Sequence, residues 1–356
     1  MAGLAPGRAT VVGTGLIGGS IGLALRRRGW RVSGVDRDPA VADRALAIGA
    51  LDAVGQDPAA DLTFVATPVR AAAEQARRSL ADGPGVVTDV GGVKTSVVNA
   101  VADARFVGGH PMAGSEQLGL EGASADLFEG AVWVLTPVVG TDPDAYARVR
   151  SVVSSFGAEA LALAPDRHDA LVAVVSHVPH LTAAALMRLA DERSTEHAAL
   201  LRLAAGGFRD MTRIASGSPA IWPDICEENR AAIVAVLDRL MAELTHLRHA
   251  VDHADRPELL AVLERAQRAR RNLPGRAVQP GDLCEVRVPV FDRTGVAAEV
   301  TTLASELGVN IVDFEIAHSM EGDRGVLIVV VETTAAERFR TALADRGYRA
   351  ALRALS

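Results

Sequence analysis

The chain has 356 residues, 49 % of them apolar, with a formal net charge of −7. That length accommodates two or three domains of about 100–150 residues, each able to bury a core. No Lys/Arg-rich run interrupts the acidic balance, so the basic stripe of a nucleic-acid binder is missing.

Met1 to Arg8 carry no signal-peptide core. No apolar run of about 18 residues stands out, so no membrane span is expected. Cys226 and Cys284 are far apart and read as free thiols in a reducing cytoplasm. Lys94 is the only lysine, in a chain whose other basic residues are all arginine. Lysine and arginine are not interchangeable at tight polar sites, which marks Lys94 as a candidate functional residue.

Ala9 to Gly13 reads as a strand, Gly19 to Arg28 as a helix, and Arg31 to Val35 as a second strand ending at Asp36. Between the first two lies Gly13-Thr14-Gly15-Leu16-Ile17-Gly18, the G-x-G-x-x-G pattern in its strand–turn–helix setting. Gly13 permits the tight turn and Gly15 admits a pyrophosphate to the backbone. Leu16 and Ile17 lie in the turn, the N-terminus of the helix after it stabilises that charge, and Gly18 allows close helix–strand packing. Asp36 is placed to accept hydrogen bonds from ribose hydroxyls and to repel a 2′-phosphate, which favours NAD over NADP; Arg37 beside it can pair with a phosphate.

Further strands are expected at Leu62 to Ala66, ending at Thr67-Pro68, and at Val86 to Asp89, ending at the Gly91-Gly92 turn before Lys94. Another runs from Arg105 to Gly108 into Gly109-His110-Pro111-Met112-Ala113-Gly114-Ser115-Glu116, and two more cover Val132 to Leu135 and Glu159 to Leu163. In an open α/β sheet, ligands bind beyond the C-terminal strand ends. Thr67, Pro68, Asp89, Gly91 and Lys94 therefore join the glycine turn as cofactor-site candidates. His110, in a loop at the mouth of a strand and fixed by Pro111, is a candidate proton-handling residue beside them.

From Pro165 the strands stop. Helical patterns fill Asp166 to Arg193, Glu196 to Leu203 and Pro219 to about Arg271, with an apolar stripe including Ile233, Val236, Leu237, Leu240 and Leu244. Such helices bury their stripes against neighbours, which fits a helical domain and a homodimer. Two polar constellations interrupt them. Ser176-His177-Val178-Pro179-His180 places two histidines one turn apart. Gly206-Gly207-Phe208-Arg209-Asp210-Met211-Thr212-Arg213 puts Arg213 near a helix break, where a guanidinium can fork onto a carboxylate; Trp222 follows. His246, His249 and His253 form a stripe without cysteine or an acidic cluster, and read as a solvated face rather than a metal site. Residues 273–282 read as a linker. Beyond it the order βαββαβ is that of a ferredoxin-like unit, with Asp292, Gly295 and Asn310 in the loops flanking its first helix.

Gly109-His110-Pro111-Met112-Ala113-Gly114, Ser176-His177-Val178-Pro179-His180 and Gly207-Phe208-Arg209-Asp210-Met211-Thr212-Arg213 together resemble the motifs of the prephenate/arogenate dehydrogenase family with a C-terminal ACT domain. The resemblance implies an NAD-binding Rossmann domain over 1–164, a helical substrate and dimerisation domain over 165–272, and an ACT regulatory domain over 283–356. It implies oxidative decarboxylation of prephenate to 4-hydroxyphenylpyruvate, or the same reaction on arogenate, in a cytoplasmic homodimer. His110 takes the hydroxyl proton, and Arg213 binds a substrate carboxylate. His180, Glu116, Trp222 and Ser115 line the pocket. Asp292, Gly295 and Asn310 mark a site for tyrosine or phenylalanine. Members of the family commonly carry serine where this chain has Gly92, and that hydroxyl is expected to bond the catalytic histidine. With Gly92, the group that orients His110 is open among Ser96, Ser115 and a water. Other readings of the residues are a β-hydroxyacid dehydrogenase, which would place a lysine on a long helix of the second domain, and a non-catalytic NAD- and amino-acid-responsive regulator.

Overall fold

The computed structural model describes residues 6–113, 119–194, 204–271, 283–291, 293, 295–318 and 324–354. Short β-branched and small apolar runs make one eight-stranded sheet. Its strands are β1 (Arg8–Val12), β2 (Arg31–Val35), β3 (Ala53–Val54), β4 (Leu62–Val65), β5 (Val86–Asp89), β6 (Phe106–Pro111), β7 (Val132–Thr136) and β8 (Glu159–Ala162). Their order is β3-β2-β1-β4-β5-β6-β7-β8, and every pair is parallel except β6–β7. The crossovers use α1 (Leu16–Arg27), α2 (Pro39–Ala47), α3 (Val69–Asp82), α4 (Thr95–Ala100) and α5 (Pro143–Ser155). Strand order runs outward in both directions from β1 and β4, so the switch point lies at their C-terminal ends.

Strand β6 changes partner midway. Phe106 and Val107 pair in parallel with Val87 and Thr88, whereas Gly108 to Pro111 pair antiparallel with Thr136 to Trp133. The sequence placed the strand end at Gly108 and His110 in a loop; β7 instead supplies a ladder that carries the strand through His110, opposite Val134. Because β5 ends at Asp89, the turn over residues 90–93 occupies the other flank of that extension. Beneath it Trp133 packs with Phe64, Phe128 and Phe156, ring centroids 4.9–6.3 Å from Trp133.

One long helix follows, comprising α6 (Pro165–Val172), a π-helical turn (Ala173–His177) and α7 (Val178–Ser194). Val178 N–H bonds Ala173 O, five residues back. Pro179 has no N–H to donate to the preceding turn, which gives this wider turn a local cause. The insertion matters for side-chain direction. At about 100° per residue, positions 169 and 177 would diverge by about 80° in an uninterrupted α-helix; one extra residue in the turn brings them to within about 20°.

By length and composition Pro165–Glu192 is apolar enough to cross a membrane, with a hydropathy of 1.6, a run that the sequence reading passed over. It carries His168 and Asp169 buried against the sheet side, while only 28 % of its most apolar 18 residues are buried. After it come α8 (Gly206–Thr212), two 3₁₀ turns, α9 (Trp222–Glu228), α10 (Arg230–Asp252) and α11 (Arg256–Arg271). The single run expected over 219–271 is therefore broken, at Asn229 and near Ala254, whose φ of 51° is left-handed. The helix expected at Glu196 to Leu203 falls outside the described residues.

The chain divides into two compact units, residues 1–245 and 246–356, so the first helices belong with the sheet. In the second unit β9 (Leu283–Phe291), β10 (Ile311–His318), β11 (Arg324–Glu332) and β12 (Ala351–Ala354) form an antiparallel sheet in the order β10-β11-β9-β12. With α12 (Val296–Glu306) and α13 (Thr333–Asp345), this is the expected βαββαβ arrangement. His246 Nε2 lies 2.8 Å from Glu258, and the His249 and His253 rings stack.

A Cβ on Gly18 would lie 1.8 Å from Gly13 O and 3.0 Å from Val11 Cγ1, which makes the third glycine of the turn a packing requirement. Gly18→Ala is expected to destabilise the sheet unit by about 1–3 kcal/mol, lowering Tm by roughly 3–10 °C in a thermal melt.

Candidate active site

The cofactor edge is built by the glycine turn. Gly13 has φ +91°, and a Cβ there would meet Ala66 O at 2.4 Å, so the turn packs directly on the end of β4. Around Gly15 a Cβ would meet nothing within 4 Å. Helix α1 begins there without a side-chain cap and without an acid in its first turn, leaving its N–H groups open to an anion. Asp36 Oδ2 accepts from Thr14 N at 2.7 Å, and Oδ1 from Asp38 N at 3.1 Å, which fixes the carboxylate at the end of β2. Leu16 and Ile17 are half-buried in the first turn of α1, Arg37 and Pro68 are exposed, and Thr67 Oγ1 is buried with no hydrogen-bond partner. This cradle fits a dinucleotide, with Gly13, Gly15 and Gly18 shaping it and the Asp36 carboxylate fixed at its edge.

Asp89 and Lys94 depart from expectation. Both are wholly buried and paired with each other, beneath the turn rather than on the cofactor edge. Gly91 N–H donates to Asp89 Oδ2 at 2.9 Å, so this glycine closes the same turn. Asp89 and Lys94 support the site from inside, whereas Gly91 is half-buried at the surface of the turn.

His110 projects from the extended part of β6. Its Nδ1 lies 2.8 Å from Nε2 of His168, which no motif had singled out. His168 Nδ1 lies 2.8 Å from Asp169 Oδ1. Asp169 also accepts from the backbone N–H of Lys94 and of Thr95, each at 2.8 Å. Burial pushes the Asp169 carboxyl up, but the hydrogen bonds from His168, Thr95 and Lys94 outweigh it and hold it below the usual range. Hydrogen positions along the line follow from donor arithmetic. A carboxylate only accepts, so the hydrogen facing it belongs to His168 Nδ1. A neutral His168 then offers its Nε2 lone pair, and His110 Nδ1–H donates to it. That leaves His110 Nε2 with a free lone pair. Burial, reinforced by His168, Lys94 and His177, keeps this imidazole well below its ordinary pKa, against the opposing pull of Asp169. His110 is thus a neutral base with a fixed tautomer.

The question raised by Gly92 has a structural answer. His168 orients the ring. Ser96 Oγ is buried without a partner, so it does not take that part, and Ser115 lies outside the described residues. A Cβ on Gly92 would stand 3.8 Å from His110 Nε2 and 3.9 Å from its Cε1, an ordinary contact distance, so the turn lies alongside the ring.

The network continues along the long helix. Asn229, in the break before α10, donates through Nδ2 to Asp169 O at 2.9 Å and approaches His177 Nδ1 at 3.2 Å. Burial lowers the His177 pKa to about 4, with Asp169 opposing and His168 assisting. His177 packs edge-on against Trp222, and Trp222 stacks on His180 with centroids 3.7 Å apart. Burial lowers the His180 pKa as well. The structure therefore joins His110, His177, His180 and Trp222 through residues that the sequence reading missed. A legible signal existed for two of them: His168-Asp169 is an adjacent titratable pair at the start of a helix that is otherwise mostly apolar.

Arg213 is exposed on the turn after α8. It lines a cavity of about 680 Å³ together with Met187, Arg188, Asp191, Arg209 and Ser216; His110, His180 and Trp222 are not among its described lining residues. Glu116 lies outside the described residues.

Comparison with known proteins agrees with this geometry. The profile of the prephenate dehydrogenase nucleotide-binding domain matches residues 21–162, and that of the prephenate dehydrogenase dimerization domain matches residues 164–265. The chain belongs to the prephenate dehydrogenase family. It is 34 % identical to the prephenate dehydrogenase of Bacillus subtilis over 335 residues, covering 89 % of this chain and 90 % of that one. The structure is similar to prephenate dehydrogenase from Aquifex aeolicus in complex with hydroxyphenyl propionate and NAD+, with a TM-score of 0.70 and 32 % identity over 75 % of this chain and 98 % of that one. It is also similar to Synechocystis arogenate dehydrogenase, with a TM-score of 0.64 and 32 % identity over 74 % of this chain and 98 % of that one.

For a prephenate dehydrogenase the His168–Asp169 pair makes two expectations. His168→Ala, which frees His110 to adopt either tautomer, is expected to lower kcat by about 10–100-fold with little change in NAD affinity, measured by steady-state kinetics and cofactor titration. The second concerns acid. The unfolded chain protonates its histidines near pH 6.5, whereas the folded chain holds His110, His177 and His180 neutral to lower pH. The unfolded state then binds more protons, so stability present above pH 6.5 is lost as the pH falls toward 4. Thermal melts across that range should show a falling Tm.

Proposed function

We propose that this chain is an NAD-dependent prephenate dehydrogenase, carried by one observation: a neutral base, His110, held in one tautomer beside a cradle that fits a dinucleotide. Its reaction is oxidative decarboxylation of prephenate to 4-hydroxyphenylpyruvate. NAD supplies the hydride acceptor when bound; Gly13, Gly15, Leu16, Ile17, Gly18, Asp36, Arg37, Thr67 and Pro68 would hold it. His110 Nε2 takes the proton of the ring hydroxyl as hydride leaves the carbinol carbon. The carbon–carboxylate bond breaks, its electron pair enters the ring, CO2 departs, and the phenolate oxygen of the aromatic product takes the proton back from His110 Nε2. The imidazolium formed on His110 keeps its Nδ1–H bond to His168, whose partner Asp169 is anionic, so the new charge is met inside the line. The family resemblance gives Arg213 the substrate carboxylate and His180, Trp222, Ser115 and Glu116 the remaining contacts to substrate. Arogenate is the second substrate to weigh, because Synechocystis arogenate dehydrogenase is as similar in sequence as the Aquifex enzyme.

The protein works as a cytoplasmic homodimer in this reading, with boundaries near residues 164 and 272. Support comes from an open apolar groove of about 550 Å³ lined by Val178, Leu186, Met211, Val236 and Leu240, and from the exposure of Val174, Val175, Met241 and Leu244 on the same helices. A dimerization-domain match over 164–265 covers them. Residues 283–356 act as an ACT-type regulatory unit responding to tyrosine or phenylalanine. Gly295, at φ +92° before α12, and Asn310, in the cleft with Arg338, are the described residues of that candidate site; Asp292 lies outside them.

The deciding assay is NADH or NADPH formation from prephenate and from arogenate with each cofactor. Prephenate with NAD should dominate. His110→Asn should lower kcat by about 10²–10⁴-fold while NAD still binds, and Arg213→Ala should chiefly raise KM for substrate. Wild-type turnover in the His110 variant would refute the assignment.

A further inference from the structure

The one lysine of the chain is wholly buried at the point where strand β6 meets helix α6. Its ammonium donates to the Asp89 carboxylate and, at 2.7 Å, to Gly109 O. Asp89 Oδ1 in turn accepts from Gly109 N at 3.1 Å. Both polar faces of the residue before His110 are therefore gripped by one ion pair. The backbone N–H of the same lysine holds Asp169 at 2.8 Å. Two glycines admit this arrangement: a Cβ would lie 3.0 Å from Asp89 Oδ2 at Gly91 and 2.7 Å from Asp89 O at Gly109.

We propose that Lys94 is the positioning residue for the base, setting the separation of His110 from His168 by clamping Gly109 through its side chain and Asp169 through its backbone. It touches neither substrate nor cofactor. The inference rests on His110 being the base, and on geometry that fits lysine alone. A guanidinium has five N–H groups in a wide planar fork. At a site with no exposure, Asp89 and Gly109 O cannot satisfy them all. This gives a reason for a single lysine in a chain that otherwise uses arginine.

Two variants separate positioning from charge and from folding. Lys94→Arg keeps the charge and loses the fit. Lys94→Met combined with Asp89→Asn removes both charges, so no lone ion is left buried. Each is expected to bind NAD with near-normal affinity and to lose about 10–100-fold in kcat with little change in substrate KM, since displacing a catalytic group by about 1 Å costs that much. The groups facing His110 are His168 and Asp169 from α6, Lys94 from the turn and His177 from the π-turn. Removing Lys94 from that set should also move the acid limb of the kcat/KM profile to higher pH in the double variant, where a purely structural lysine would leave it in place. Wild-type kcat in Lys94→Arg, or a folded double variant with wild-type kcat and an unmoved limb, would overturn the proposal. If neither variant folds, Lys94 is read in place, in the wild-type protein and in its His110→Asn variant. Labelling with ¹⁵Nζ-lysine gives one side-chain resonance, which must shift when His110 is changed to Asn; an unmoved resonance counts against the clamp. The His110→Asn turnover measurement tests the base itself and is independent of Lys94.

Discussion

The hydrogen bond from His110 to His168 is the contact on which the site depends. It joins the eight-stranded sheet to the long helix, and it is possible only because β6 is carried past the end of β5 by its antiparallel partner. A strand ending at Gly108 would leave His110 on a loop. With β7 alongside, the ring has a fixed origin, and Asp169 at the far end of the line dictates which nitrogen carries hydrogen. A carboxylate, two imidazoles and a strand extension thus determine which lone pair of His110 is left free.

Around that line the interior is unusually polar. Asp89, Lys94, His168, Asp169, His177 and Asn229 are all buried. Isolated charges there would be costly, and an ion pair between them recovers the loss only when its remaining hydrogen bonds are made. Here they are made largely with backbone: Gly91 and Gly109 to Asp89, Lys94 and Thr95 to Asp169. The glycines of this region serve two purposes. Gly15 stands in open space and leaves room for a ligand, whereas Gly108 and Gly109 leave room for the protein's own side chains.

Much of this architecture is legible in the residues. The glycine turn, the alternating strands and helices up to residue 163, the change to helices at Pro165 and the βαββαβ order at the C-terminal end are all local patterns of hydrophobic period and turn chemistry. His110 is legible through its flanking glycines and proline. The misses share one cause, which is that they depend on contacts between distant segments. The extension of β6 needs β7, whose side of the sheet is not written into Gly108 to Pro111. The pairing of His168 with His110 spans 58 positions. The directions of Asp169 and His177 cannot be read from a regular helical period, because one inserted residue resets it. Asp89 and Lys94 were assigned to the cofactor edge because they follow a strand end; position along the chain gave their neighbourhood correctly and their depth wrongly.

The burial of Lys94 has a chemical consequence. Lysine side chains are the usual targets of acylating reagents and of enzymes that acetylate, methylate or attach other proteins. This chain shows solvent no lysine amine while the sheet is intact. Side-chain amine reactivity becomes visible only when the segment between β5 and β6 opens, so the same residue that holds the site together also reports, by becoming reactive, when it has come apart.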